Sequence, residues 1–279
     1  FPNVNGANPN NQVATGGFGQ TARSIVMVPT DGQQTVDYYR AVLGVRGDFG
    51  STFPIFGDWS YDLYGQHIRS EADYTNDIIY NDRVLATTGA LACNQAAITI
   101  SGGNCADVPT GIRWFNAGVV QNGRSAGGWT QAEQDFLFTK ETGHTTYTQT
   151  LFNGTTTGDL FMMPAGMVAA AIGFEYRTDE IDDTPGFNAR RNNLWGQTSA
   201  GRTAGSDTVR EVFGEISVPL LAGWDFAESL TFDGSARYTS YDSYGEDSTY
   251  KMGLNWQITP EYRLRGTTGT SFRAPALFE

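Results

Sequence analysis

Ser229-Leu230-Thr231-Phe232-Asp233-Gly234-Ser235-Ala236-Arg237-Tyr238-Thr239-Ser240 alternates without a miss. Leu230, Phe232, Gly234, Ala236 and Tyr238 fall on one face. Thr231, Asp233, Ser235, Arg237 and Thr239 fall on the other. The pattern returns with Tyr250, Met252, Leu254, Trp256 and Ile258 against Lys251, Gly253, Asn255 and Gln257. After Thr259-Pro260-Glu261 it resumes with Tyr262, Leu264, Gly266 and Thr268 opposite Arg263, Arg265 and Thr267. A period of two means strands, each with an apolar and a polar face. The polar face carries Asp233, Arg237, Lys251, Arg263 and Arg265, so it is wet.

Working outward, the same period recurs upstream. One strand runs from about Gln34 to Arg46, with Tyr39, Ala41, Leu43 and Val45 on its apolar side. A second covers Trp59 to about Ser70, and a third, weaker and rich in Thr, covers Thr146 to Met162. The fourth, Met167 to Thr178, sets Val168, Ala170, Ile172, Phe174 and Tyr176 against Ala169, Ala171, Gly173, Glu175 and Arg177. A fifth spans Val209 to Leu220. The three strands of the opening stretch bring the total to about eight. Residues 71–146 form a long insertion with no sustained alternation. Within it, Asn76 to Ala86 suits a short helix, and Thr130-Gln131-Ala132-Glu133 is a capping box before Phe136 and Leu137. Residues 1–33, rich in Asn, Gly and Pro, read as an irregular loop.

Connections after strands one, three, five and seven are short. Those after two (71–146), four (180–208) and, less markedly, six are longer. With antiparallel neighbours, short turns then gather at one end and long loops at the other. That asymmetry marks an outer-membrane barrel. Each strand meets the ~9–11 residues that a tilted spanning strand needs. Trp59, Tyr61, Trp224, Phe226, Trp256 and Tyr262 lie near the short turns, and Tyr176, Tyr238, Tyr241 and Tyr250 near the loops, as interfacial girdles would. The expected fold is all-β, an antiparallel transmembrane barrel segment of about eight strands.

Bulk composition agrees. The 279 residues include 34 glycines and 17% charged residues, and the mean hydropathy of −0.35 excludes a helical membrane protein but suits strands that are half wet. The most apolar run, Phe161 to Phe174, is interrupted by Pro164 and is shorter than the ~18 residues of a spanning helix. A net charge of −12 argues against nucleic acid as a partner. Cys93 and Cys105 have no histidine nearby for zinc. They read as a disulfide closing a loop outside the cytosol, or else as two unrelated thiols.

Tyr262-Arg263-Leu264-Arg265-Gly266-Thr267-Thr268-Gly269-Thr270-Ser271-Phe272-Arg273-Ala274-Pro275-Ala276-Leu277-Phe278-Glu279 closely resembles a barrel segment of TonB-dependent receptors. The Ser-Phe-Arg-Ala-Pro run is the specific part. Gly158-Asp159-Leu160-Phe161, Gly173-Phe174-Glu175-Tyr176-Arg177, Phe213-Gly214-Glu215-Ile216-Ser217-Val218-Pro219-Leu220 and Leu43-Gly44-Val45-Arg46-Gly47-Asp48 resemble the same family, in the same order. The resemblance implies a barrel of about 22 strands closed by an N-terminal plug. It implies active uptake of a scarce solute (an iron chelate, cobalamin or an oligosaccharide) across the outer membrane of a Gram-negative bacterium. The implied partners are outer-membrane lipid, the plug, the TonB energy-coupling protein acting through that plug, and the small-molecule ligand. Residues 1–279 are then expected to be part of the barrel domain, with the plug, the coupling box and the closing strands outside them. A passive porin and a soluble β-rich binding or adhesive module are the alternatives.

Candidate ligand-binding residues are the loop aromatics Trp114, Phe115, Trp129, Phe187 and Trp195, with Arg190 and Arg191 for an anionic group. Each aromatic is equally suited to packing within its loop. Catalysis is not expected. Gly123-Arg124-Ser125-Ala126-Gly127 fits a nucleophile elbow only in letters, since it lacks the strand-to-helix turn. His67 and His144 have no supporting arrangement. Gly17-Phe18-Gly19-Gln20-Thr21-Ala22 lacks the flanking strand and helix of a dinucleotide site. No cofactor is expected. Asp179, Glu180, Asp182 and Asp183 are suited either to a divalent cation or to a solvated loop, and no metal is assigned.

Overall fold

The computed structural model describes residues 31–50, 59–88, 93–109, 111–112, 120–121, 124–125 and 129–274. Eight long strands form one sheet: β1 (Gly32–Asp48), β2 (Ser60–Ile79), β5 (Phe138–Met163), β6 (Gly166–Thr184), β7 (Thr203–Trp224), β8 (Ala227–Tyr241), β9 (Gly245–Gln257) and β10 (Arg263–Gly269). Their spatial order, β1-β2-β5-β6-β7-β8-β9-β10, follows the chain, as in an up-and-down meander. The remaining strands, β3 (Val120–Gln121) and β4 (Arg124–Ser125), make a separate two-stranded ribbon. The helices are α1 (Asn81–Thr87), α2 (Gln131–Leu137) and the single turn α3 (Phe187–Arg190).

The register confirms the two faces. Phe232 pairs with Val218 on β7 and Leu254 on β9, and Leu254 pairs in turn with Gly266 on β10. One residue along, Ser217, Asp233, Gly253 and Thr267 form a polar row, followed by Glu215, Ser235 and Lys251. Apolar and polar rows therefore run unbroken across four strands, which is the property that pins the register. The ladder has one irregularity: Pro219 pairs with Thr231 and Leu221 with Leu230, so Leu220 is an extra residue. A proline has no amide to donate to the ladder, and a bulge is where a sheet tolerates one.

Contacts divide the chain into two compact units. The stapled unit comprises Phe1–Val36, Ala72–Thr145 and Asp183–Thr203; the sheet unit comprises Asp37–Glu71, Thr146–Asp182 and Ala204–Glu279. The sheet unit buries little of its apolar face. Val42, Leu43, Phe152, Ile172, Phe174, Val212, Met252 and Leu254 are all exposed, Leu43 at 84%. The stapled unit has an ordinary core of Ile79, Val84, Val108, Ile112, Trp129, Phe136 and Leu137.

Several strands are longer than their alternation indicates. β2 continues to Ile79 and β5 begins at Phe138, so the connection between them is 80–137 rather than 71–146. Ile78 and Ile79 belong to β2, and the expected helix from Asn76 begins only at Asn81. Tyr80 is held in a bridge to Leu194, and its amide donates to the Leu137 carbonyl. β6 likewise runs to Thr184 and β7 begins at Thr203. The capping box is present as read: the Glu133 amide donates to Thr130 Oγ1, and the Thr130 amide donates to Glu133 Oε2 at 2.7 Å.

The connections after β1, β5, β7 and β9 are 49–59, Pro164–Ala165, Asp225–Phe226 and 258–262. Those after β2 and β6 are long, at 80–137 and 185–202, but the one after β8 is only Asp242–Tyr244. The long–short contrast therefore holds for two of the three pairs. Gly245, at φ 82°, lets the chain turn back directly at the third.

Candidate functional site

On the polar face of the sheet unit, side chains from successive strands meet in one network. Arg40 Nε of β1 donates to Gln66 Oε1 of β2 at 2.8 Å, and Gln66 Nε2 donates to Gln149 Oε1 of β5 at 3.3 Å. Gln149 Nε2 donates to Asp179 Oδ1 of β6 at 2.8 Å, and the Tyr147 hydroxyl donates to the same oxygen at 2.6 Å. Arg177 closes the set, with Nε 2.9 Å from Asp179 Oδ2 and Nη1 3.1 Å from Glu175 Oε1. These residues share a face because each sits an even number of positions from the next on its strand. Half-buried charges of this kind are retained where every partner is satisfied.

Further along the face, Arg237 pairs with Glu211 at 2.8 Å and lies 5.2 Å over the Phe213 ring. Ser217 donates to Asp233 at 2.8 Å. A hollow of about 710 Å³ opens here among Glu215, Ser217, Asp233, Lys251, Asn255 and Arg265. Arg263, unlike Arg237, meets no carboxylate among these contacts but donates to the amide oxygen of Gln257 at 2.6 Å. The opposite face has its own hollow, of about 800 Å³, lined by Val45, Leu63, Ile172, Phe174 and Val212.

Aromatic residues flank the short connections. Trp224, Phe226 and Tyr262 are 69%, 75% and 71% exposed, and Trp256 Nε1 donates to the Phe226 carbonyl at 2.9 Å. This is the placement that an interfacial belt requires. Trp59 departs from it. The ring is buried against Gly158, where a Cβ atom would collide with it, and Nε1 donates to the Asp159 carbonyl at 2.9 Å. Trp59 thus fills the space that a glycine leaves on the sheet.

In the stapled unit, Cys93 and Cys105 are disulfide-bonded, and the bridged loop is tied back to α1 by two consecutive residues. Asp82 Oδ2 accepts the amides of Ile100 (2.9 Å) and Ser101 (2.8 Å). Burial opposes a charge on Asp82, yet these amides, aided by the Asn193 side chain, hold its carboxyl below the usual carboxylate range. Arg83 donates to Ser101 Oγ, the Ser101 carbonyl and the Phe136 carbonyl, and its guanidinium lies 4.0 Å over the Tyr80 ring. Arg83 therefore joins α1, the bridged loop and α2. Asn193, fully buried, accepts the Asp82 amide and donates to Asn188.

The candidate ligand residues of the loops have different fates. Trp129 is 9% exposed and stacks on Phe138 at 5.2 Å, so it belongs to the core. Trp195 packs partly buried against that core. Phe187 and Arg190 on α3, and Arg191 at its C-cap, stay at the surface. The Arg191 guanidinium sits 4.6 Å over the Phe187 ring, while Arg190 Nε donates to the Pro185 carbonyl. Glu141 fixes this turn by accepting the amides of Asn188 and Ala189. Trp114 and Phe115 lie outside the described residues.

Asp179, Glu180, Asp182 and Asp183 do not form a loop cluster. They lie on β6, whose period sends Asp179 and Asp183 to one face and Glu180 and Asp182 to the other. Asp183 accepts from Tyr74 (3.1 Å) and Thr145 (2.6 Å). Among the described residues no group of three or more His, Cys, Asp or Glu side chains is placed to hold a metal ion. Ser125 sits on the ribbon strand β4. The glycine-rich stretch 17–22 lies outside the described residues.

A family model for the β-barrel of TonB-dependent receptors matches residues 2–279. The chain belongs to this family. The receptor barrel is also similar to the vitamin B12 transporter BtuB of Vibrio vulnificus (strain CMCP6), 28% identical over 116 residues. That match covers 42% of this chain and 16% of the relative. No solved structure matches the chain. Membership accounts for an exposed apolar face that no soluble sheet would carry, and the family is one of transporters and receptors rather than enzymes.

Proposed function

We propose that this chain forms part of an outer-membrane receptor that takes up a scarce solute in a Gram-negative bacterium. The candidate cargoes are an iron chelate, cobalamin or an oligosaccharide. One observation carries the reading: the β7–β10 register lays the row of Val218, Phe232, Leu254 and Gly266 beside a row without apolar side chains, Ser217, Asp233, Gly253 and Thr267, on a single-layer sheet. Lipid against the first and a water-filled or plugged lumen against the second satisfy both. The energy source is TonB, acting through a plug in the barrel. Phe187, Arg190 and Arg191 are the loop residues proposed to meet the cargo.

Growth of a deletion strain on single iron or carbon sources tests the transport reading. Loss of growth on one source, restored by the intact gene and not by a version without its plug, is the expected result. Unchanged growth on every source rejects it. Partition into detergent and heat-modifiable gel migration of the full-length protein test the barrel. A monomer stable without detergent rejects it.

A further inference from the structure

The apolar side of the sheet unit is not flat. Its hollow of about 800 Å³ is a trough that runs from Asp48 and Phe49, at the end of β1, to Val212, in the middle of β7. Val45, Tyr61, Leu63, Ile172 and Phe174 line it. Gly154 lies at its floor: a Cβ atom there would collide with Phe174 and Leu63, which lean together over the bare backbone. The Phe49 and Tyr61 rings, 5.1 Å apart, stand at the β1 end. All of these residues belong to the sheet unit.

Such a trough does not stay empty in a bilayer. Lining atoms without neighbours forfeit their dispersion contacts. Water is a poor filler, since it needs about two to four polar partners. The Thr156 hydroxyl, which could have served, already donates to the Ser60 carbonyl at 2.9 Å. The volume falls within the range of about 300–1,000 Å³ that holds small molecules. A flexible hydrocarbon chain suits a hollow that is apolar, elongated and open to the membrane.

The two ends of the trough differ. Asp48 is the single charged residue that lines it, and its carboxylate has no ion pair or hydrogen bond among the described residues. Arg46 borders a separate hollow, which Asp48 shares, together with Ser60 and Asp62. Asp48 adjoins the connection 49–59, at the end of the sheet where the short connections gather. In an outer-membrane barrel that end faces the periplasm. An unpaired carboxylate there favours a headgroup that ends in an ammonium and disfavours a purely anionic one.

We propose that this trough binds an acyl chain of one phospholipid of the periplasmic leaflet, a zwitterionic lipid whose terminal ammonium meets Asp48. The proposal rests on the barrel reading and is independent of the cargo.

Native mass spectrometry of the purified full-length receptor in mild detergent tests it, with phosphatidylethanolamine and phosphatidylglycerol of identical chains as probes. One phosphatidylethanolamine is expected to stay on each receptor, in preference to phosphatidylglycerol. Ile172 and Val212 are 52% and 56% exposed, so a larger side chain at either projects into the trough. Ile172→Trp and Val212→Trp should each cut retention about ten-fold by filling it. Asp48→Asn should remove the preference between headgroups, a change of about ten-fold, and leave phosphatidylglycerol binding as it was. Leu254→Trp, on the same face outside the trough, should change nothing. Heat-modifiable migration checks that each variant is folded. Retention of no lipid, equal retention of the two lipids by the unaltered receptor, or retention unmoved in the folded Ile172→Trp and Val212→Trp variants overturns the proposal. A receptor dimer that these two substitutions dissociate assigns the trough to a second copy and overturns it as well. An unaltered receptor without heat-modifiable migration sinks the barrel reading and this proposal together; one that migrates as a barrel but holds no lipid sinks this proposal alone.

Discussion

The stapled unit and the sheet unit solve the problem of apolar surface in opposite ways. The stapled unit buries Leu137, Ile112 and Val84 almost completely, and it binds its ends with a disulfide, an arginine clamp and a buried asparagine. The sheet unit leaves Leu254, Met252 and Phe174 open and places the network of Arg40, Gln66, Gln149, Tyr147, Asp179 and Arg177 on the other face. The first therefore depends on its own packing, and the second on the medium in which it sits. Side-chain composition alone does not separate the two cases; the organisation of the apolar residues does.

Several substitutions sharpen or break this contrast. The largest effect is expected from Leu137→Ala, which opens a cavity in the stapled core and costs about 2–5 kcal/mol there. Hydrogen exchange of the receptor in detergent should show faster exchange in α1 and α2 and none in β7–β10. Spread of the effect into those strands would remove the distinction between the units. Next is Leu254→Arg, which places a cation on the lipid side and costs about 2–4 kcal/mol near the bilayer midplane. Asn255→Arg, one residue along and facing the lumen, should cost less than about 1 kcal/mol. Denaturant unfolding in lipid vesicles compares the two; equal losses would mean that the faces are misassigned.

Removing the bridge with Cys93→Ala and Cys105→Ala should cost the stapled unit about 2–3 kcal/mol, given a sequence separation of 12. Limited proteolysis would then cut within 94–104 while the strands stay intact. The smallest effect is in pH. Asp82 is held below its unfolded value, so its contribution is present in full above about pH 4 and disappears as the pH falls through the lower folded value. Exchange of the Ile100 and Ser101 amides should quicken over that range, and Asp82→Asn should abolish the pH dependence. A dependence that survives the substitution assigns it to another group.

Legibility in the sequence followed the same division. The alternation of residues 229–240 and 250–258 was enough to assign faces because one medium is apolar and the other aqueous. It faded where both faces of a strand become polar. On β2 and β5 the partners are Thr75 with Thr142 and Asp73 with His144 on one side, and Tyr74 packed over Gly143 on the other. No hydrophobic period marks such a pair, so the extensions to Ile79 and from Phe138 were invisible. The capping box was readable because its bonds lie within four residues. The same was not true of Trp129, whose burial depends on Phe138 and a core assembled from distant segments.

By itself, then, the sequence determined the class of fold, the order of strands, which face is apolar and the family, since all of these follow from local period and short motifs. Only the tertiary structure decided which aromatic residues are core and which remain open, and that Asp179 is a network hub rather than part of an acidic loop. It alone set the Tyr241 ring edge-on to that of Phe272. The physical reason is that a residue's face is set by its own strand, whereas its partners are set by the registers of several strands at once.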